Sequence, residues 1–265
     1  MPAVQPFVRE AGAGPGVVCL HSNASSSAQW RGLTDALSPT RRVLAPDCCG
    51  AGKSPQWPHE RKMLLEDEVA FLEPVFSRAG DGFAVVGHSY GGAVALKTAL
   101  VHRSRVTALA LYEPTLFSLV EALGPSPNGV DGIRHTVDAS LASLTRQDRD
   151  QAAAHFIDFW MGPGSWAATP PQRKPAIADA MINVGHWAHA LFNEPAPLEA
   201  FAQLDIPVLL MTGEHSPESA QSVARLLAPV LPRVTTVKFA ALGHMGPITD
   251  PDTVNAAIVG FFGET

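Results

Sequence analysis

A serine hydroxyl becomes a nucleophile near neutral pH only when a neighbouring base takes its proton during attack. Ser89 is placed for that chemistry. It lies in Gly87-His88-Ser89-Tyr90-Gly91-Gly92, after the apolar run Phe83 to Val86 and before a helix-forming stretch. A buried strand, G-x-S-x-G-G and then a helix demand a sharp turn that holds the hydroxyl at the sheet edge. Residues 87, 91 and 92 must be small, because side chains there would collide with the neighbouring strand and helix. The helix N-terminus behind Ser89 offers amide N–H groups and a positive dipole end to a developing oxyanion. His244, in Ala-Leu-Gly-His-Met-Gly after the strand-like Val234 to Phe239, is the candidate general base.

Other reactive side chains have plainer readings. His186 and His189 share a helical face, but no Cys, Glu or third His stands at ligand spacing, so no metal and no cofactor are expected. Three cysteines, two of them the neighbours Cys48 and Cys49, form no C-x-x-C and read as packed, reduced thiols. Consecutive residues on the elbow point in different directions, so His88 reads as a structural or pocket-shaping residue. Gly50-Ala51-Gly52-Lys53-Ser54 ends like a phosphate loop, but the glycine required five positions before Gly52 is Asp47. A carboxylate there would face phosphates, so the segment reads as a turn.

These groups need a sheet to hold them. Pro6 to Arg9, Val17 to Leu20, Val43 to Ala45, Phe83 to Val86 and Val106 to Tyr112 read as strands, with helices over Leu64 to Arg78 and Tyr90 to His102. This βαβ alternation predicts an α/β fold with a mostly parallel central sheet flanked by helices. From 115 to 203 it gives way to helical periodicity, as in Asp148 to Trp160 and Pro175 to Phe192. Strand and helix then resume with Val208 to Thr212, Pro217 to Leu231, Val234 to Phe239 and Pro251 to Phe262, Ser216 and Asp250 reading as N-caps. The expected organisation is a core of 1–114 and 204–265 with a helical lid, 115–203, inserted into it.

Composition narrows the partners. Apolar residues make up 46% of the 265 and charged residues 17%, which suits one large globular core. The net charge of −6, with no basic run beyond Arg41-Arg42, argues against nucleic acid or an anionic membrane as a partner. No apolar run approaches the ~18 residues of a membrane span, and Met1 to Pro6 lacks the pattern of a secretory leader. A cytoplasmic protein acting on a small molecule is expected; the oligomeric state is not legible.

The chain resembles the α/β-hydrolase fold superfamily, over nearly its whole length apart from the lid. The resemblance rests on the Ser89 elbow, on Leu20-His21-Ser22-Asn23-Ala24-Ser25 with Trp30, on Asp47-Cys-Cys-Gly50-Ala-Gly52-Lys-Ser54, and on Gly243-His244. It implies an oxyanion hole built from the backbone amides of Tyr90 and Asn23, although Ser22 replaces the usual glycine. It also implies a carboxylate partner for His244, in one of two places. The loop after the post-lid strand, Gly213-Glu214-His215-Ser216, has Ser216 where the family carries Asp. Some relatives carry the acid at the end of the strand before the lid, where this chain has Glu113; Glu113 is therefore placed first and Glu214 second.

The resemblance further implies a serine hydrolase cleaving a small or medium acyl substrate, a carboxylic ester by default, through an acyl-enzyme. Trp160 and Trp187 on the lid are expected to shape the substrate pocket without touching the proton transfer. Two rivals share the fold: hydrolysis of a carbon–carbon bond next to a ketone, and a non-catalytic ligand binder.

Overall fold

A computed structural model describes residues 5–264; residues 1–4, most of the stretch scanned for a leader, lie outside it. Seven strands form one sheet: β1 (Val8–Ala11), β2 (Gly16–Leu20), β3 (Arg42–Pro46), β4 (Phe83–His88), β5 (Val106–Tyr112), β6 (Val208–Gly213) and β7 (Val234–Phe239). Their order is β1-β3-β2-β4-β5-β6-β7, with β1 antiparallel to β3 and every other pair parallel. The chain leaves β2 for β3 on one side and returns to place β4 on the other. In such sheets, ligands bind at the carboxyl ends beside that reversal.

The central strands are continuous apolar runs because both of their faces are covered. Val17, Cys19, Val43, Ala45, Ala84 and Val86 pack on one face against α1 (Arg31–Leu37) and the C-terminal helix, through Leu33, Leu37, Val254, Ile258 and Phe262. Val18, Leu20, Leu44, Val85, Leu109 and Leu111 pack on the other against α2 (Leu65–Ala79) and α3 (Tyr90–Val101). Between β5 and β6 come only helices among the described residues: α4 (Ser118–Glu121), α5 (Asp131–Thr145), α6 (Arg149–Met161), α7 (Ser165–Ala168), α8 (Lys174–Ala180) and α9 (Val184–Phe192). Ile133, Phe156, Trp160, Trp187 and Leu191 from this segment join the same apolar cluster as the second sheet face. The segment thus shares the core of the sheet domain. Helices α10 (Glu218–Leu227), α11 (Gly246–Thr249) and α12 (Pro251–Glu264) complete the chain.

Three local expectations shift. The first strand starts at Val8, two residues late, because Phe7 is held outside the ladder by Ser54 Oγ and Asp47 N. The single helix expected over 175–192 is broken by a 3₁₀ turn, Met181–Asn183, in which Asn183 Nδ2 donates to Gly50 O (3.0 Å). Ser216 does not cap α10: the helix begins at Glu218 and the buried Ser216 Oγ has no partner.

Candidate active site

The turn between β4 and α3 leaves no room for side chains around Ser89. A Cβ on Gly87 would stand 2.4 Å from Gly91 O, and one on Gly91 would stand 2.3 Å from Leu20 O. Close packing of the elbow against β2 forces Ser89 to φ 56°, ψ −118°, a region costly for a residue with a side chain. That strain turns the hydroxyl toward His244. Ser89 Oγ lies 2.9 Å from His244 Nε2, and His244 Nδ1 lies 2.7 Å from Glu113 Oε2. A carboxylate can only accept, so Nδ1 carries the proton and Nε2 presents its lone pair to the serine. All three are buried, with exposures of 5% for Ser89, 1% for His244 and 0% for Glu113.

Neighbouring strands supply the positions. Glu113 follows the last residue of β5, also at positive φ (43°), and its other oxygen accepts from Gly213 N at 2.7 Å. Gly213 ends β6, so the carboxylate is fixed across two adjacent strand ends. Glu214 does not reach His244: it is exposed and sits 3.5 Å from Lys238 Nζ. Of the two candidate acids, the structure brings only Glu113 to the histidine.

Buried polar side chains, among them Gln29, which sequence reasoning passed over, tie the strand ends together. His88 Nε2 donates to the backbone carbonyl of His244 (2.8 Å), and its Nδ1 accepts from Gln29 Nε2 (3.0 Å). Gln29 Oε1 in turn accepts from the amide and hydroxyl of Ser22 (both 3.1 Å). A continuous polar chain therefore joins the loop carrying Asn23 to the loop carrying His244. Burial keeps His88 neutral by pushing its pKa well below the ordinary value, with the nearby His244 adding to the effect. Gln29 has no motif around it, and only its position under the loop reveals it. His21 completes the frame by accepting from Cys48 N (2.9 Å) and donating to Ser22 O (2.7 Å).

Tyr90 opens α3, so its amide has no partner within the helix. Its side chain turns away, the hydroxyl donating to the fully buried Glu68 at 2.9 Å. Asn23 lines the space in front of Ser89, and its Oδ1 is buried without a partner. The Asp47 carboxylate is occupied by the amides of Ser27 (2.6 Å) and Lys53 (2.8 Å), which is the chemistry of a turn. Cys19, Cys48 and Cys49 are buried free thiols, and burial pushes Cys49 up to about 12, far from a nucleophilic thiolate. Among the described residues no three His, Cys, Asp or Glu come together as a metal site.

Two cavities meet at Ser89. The larger, about 1060 Å³, is lined by His244, Asn23, Trp160, Met245 and residues of α6 to α8; the smaller, about 20 Å³, lies among Phe117, Ile133, Trp187 and Phe192. Trp187 borders the small cavity alone, whereas Trp160 borders both. Trp160 also stacks on the His244 ring, with centroids 3.9 Å apart and planes at 25°. It therefore touches the candidate general base, contrary to the expectation for a residue so distant in sequence.

The family model for the alpha/beta hydrolase fold matches residues 15–251, a span that takes in all of the sheet but β1. The chain belongs to the alpha/beta hydrolase fold family. It is 26% identical to the pimeloyl-[acyl-carrier protein] methyl ester esterase of Nitrosomonas europaea, over 92% of this chain and 94% of that one. It is 32% identical to lipase LipV of Mycobacterium tuberculosis over 62% of this chain, a match spanning only 56% of the lipase. With a 2-hydroxy-6-oxo-2,4-heptadienoate hydrolase of Pseudomonas putida it shares 35% identity over 41% of this chain and 40% of that one. An alpha/beta hydrolase structure from Sphaerobacter thermophilus superposes with a TM-score of 0.77 at 25% identity, covering 97% and 96% of the two chains. No helix among the described residues is long and apolar enough to cross a membrane.

Proposed function

We propose that this family member is a serine hydrolase that cleaves a carboxylic ester through an acyl-enzyme. The observation that carries the reading is the buried line Ser89–His244–Glu113, with spacings of 2.9 and 2.7 Å, opening onto a cavity. Ser89 Oγ attacks the carbonyl carbon as His244 Nε2 takes the hydroxyl proton, and Glu113 stabilises the imidazolium. The amides of Tyr90 and Asn23 donate to the carbonyl oxygen as it becomes an oxyanion. His244 then returns its proton to the departing alcohol oxygen, leaving the acyl group on Ser89. A water molecule, deprotonated by His244, releases the acid and restores the serine. The helices between β5 and β6 act as a lid that keeps other water away from the acyl-enzyme. The substrate is a small molecule, and the buried reduced thiols suit a cytoplasmic setting.

A carbon–carbon hydrolase is the second reading, favoured by the resemblance to the dienoate hydrolase; there the group receiving the His244 proton is carbon. Labelling with a fluorophosphonate, beside a Ser89→Ala control, tests the nucleophile. Turnover of simple esters set against vinylogous diketones then separates the bonds. Labelling that persists in Ser89→Ala, or turnover of the diketones alone, contradicts the ester reading.

A further inference from the structure

The two cavities divide the substrate at its scissile bond, and their linings say what belongs on each side. Asn23, Ser89, Phe156 and Trp160 border both, so the reacting carbonyl sits at the junction. His244 borders only the large cavity. The leaving oxygen must come within hydrogen-bond reach of His244 Nε2 to receive its proton. The leaving group therefore extends into the large cavity, and the acyl group into the small one.

The small cavity holds about 20 Å³. About 10–15 Å³ by this measure accommodates one water-sized group. Room for one or two heavy atoms beyond the carbonyl follows. Its walls are apolar, including Val137, Val184 and Leu191, apart from Asn23, the nucleophile candidate Ser89 and the buried, unpartnered hydroxyl of Thr115.

The large cavity differs in charge as well as size. Arg31, Arg149 and Arg173 line it, with Asp179 as its one carboxylate. Arg149 is paired with Asp179 at 2.8 Å. Arg31 and Arg173, both exposed, have side chains without any ion pair or hydrogen bond among the described residues. Two arginines without an ionic partner among the described residues thus line this cavity on a chain whose net charge is −6. The same cavity is also lined by apolar side chains, among them Ile157, Ile177 and Ile248. A long group with an apolar body and an anionic end complements that lining.

Resting on the ester reading above, we infer that the substrate joins an acyl group of two or three carbons to a longer alcohol bearing a carboxylate or phosphate, which Arg31 and Arg173 attract. The test uses acetyl and hexanoyl esters of 6-hydroxyhexanoate and of its neutral amide, 6-hydroxyhexanamide. The charge lies far enough from the reacting oxygen that intrinsic reactivity is matched. At low ionic strength kcat/KM for the acetyl ester of the carboxylate exceeds that of the amide by about fivefold, since exposed ion pairs contribute modestly. The excess shrinks towards one in about 0.5 M salt, where charges are screened. The double variant Arg31→Glu/Arg173→Glu brings the ratio below one, and acetyl is preferred over hexanoyl throughout.

Equal turnover of the two acetyl esters, or a ratio unmoved by the double reversal, overturns the anionic assignment while the ester reading stands. Preference for hexanoyl overturns the acyl assignment. If no ester is cleaved, the ester reading falls and this inference falls with it.

Discussion

Glu113 and Glu214 differ in what their carboxylates touch. Glu113 is buried, bridging His244 Nδ1 and Gly213 N, and Glu214 faces solvent beside Lys238. Glu113→Gln keeps a similar shape but removes the charge that stabilises the imidazolium, so kcat should fall by about 10⁴ in a folded protein. Glu214→Gln should change kcat by less than about twofold, as surface substitutions usually do. Steady-state rates on one ester, with circular dichroism as the folding control, check the ranking; the reverse order would move the acid to Glu214. Glu68 makes a separate prediction. Burial pushes its carboxyl up to about 7 from an ordinary 4.5, so the folded state holds a proton that the unfolded chain releases. Its contribution to stability is complete below about pH 4.5 and lost as pH rises to about 7. His21 and His88, held neutral by burial, act in the opposite sense and weaken the fold as pH drops below about 6.5. Glu68→Gln removes only the first effect. The melting temperature of the parent minus that of Glu68→Gln should therefore decrease between about pH 5 and about pH 8, and a constant difference would deny the assignment.

At the scale of elements, the helices between β5 and β6 do two different things through two tryptophans. Trp187 on α9 lines the small cavity, whereas Trp160 on α6 lies against the His244 imidazole. Trp187→Ala should enlarge the acyl space and raise the hexanoyl-to-acetyl ratio of kcat/KM, by about tenfold if the ring's volume becomes usable. Trp160→Ala should lower kcat for every acyl length, because His244 loses the surface that holds its ring. Profiles of kcat/KM across an acyl series distinguish the two, and matching profiles would mean that both residues only stabilise the fold. The 3₁₀ break at Met181–Asn183 belongs to the same scale. Asn183 docks on Gly50, linking the helical segment to the turn after β3.

Across the whole molecule, the sheet brings the ends of β2, β4, β5 and β7 to one edge, and buried hydrogen bonds, including those of the Glu113 carboxylate, connect them. The His88–Gln29–Ser22 chain and the Asp47 turn satisfy their polar atoms within the protein. Because no cluster of three metal-ligating side chains exists among the described residues, ester hydrolysis should be unaffected by EDTA. Loss of rate on chelation, restored by added zinc, would contradict this. The same edge carries a cationic cavity wall on an acidic chain, a distribution that net charge alone conceals.

What the sequence by itself determined was local. G-x-S-x-G-G with a strand before and a helix after specifies an elbow, because only small residues fit where backbones approach within van der Waals distance. Alternating apolar runs and helical periods specify the α/β class, and His244 follows the last strand in plain view. The tertiary structure decided everything that depends on distance between segments. Glu113 and Glu214 were both open in sequence, and the choice came from β5 ending beside β6, which aims one carboxylate at a histidine 131 positions away. Gln29 and Glu68 carry no motif, since a residue that supports others through space need not stand at any fixed spacing from them. Trp160 likewise lies far from His244 along the chain, and only the fold of the helical segment over the sheet edge lays one ring on the other.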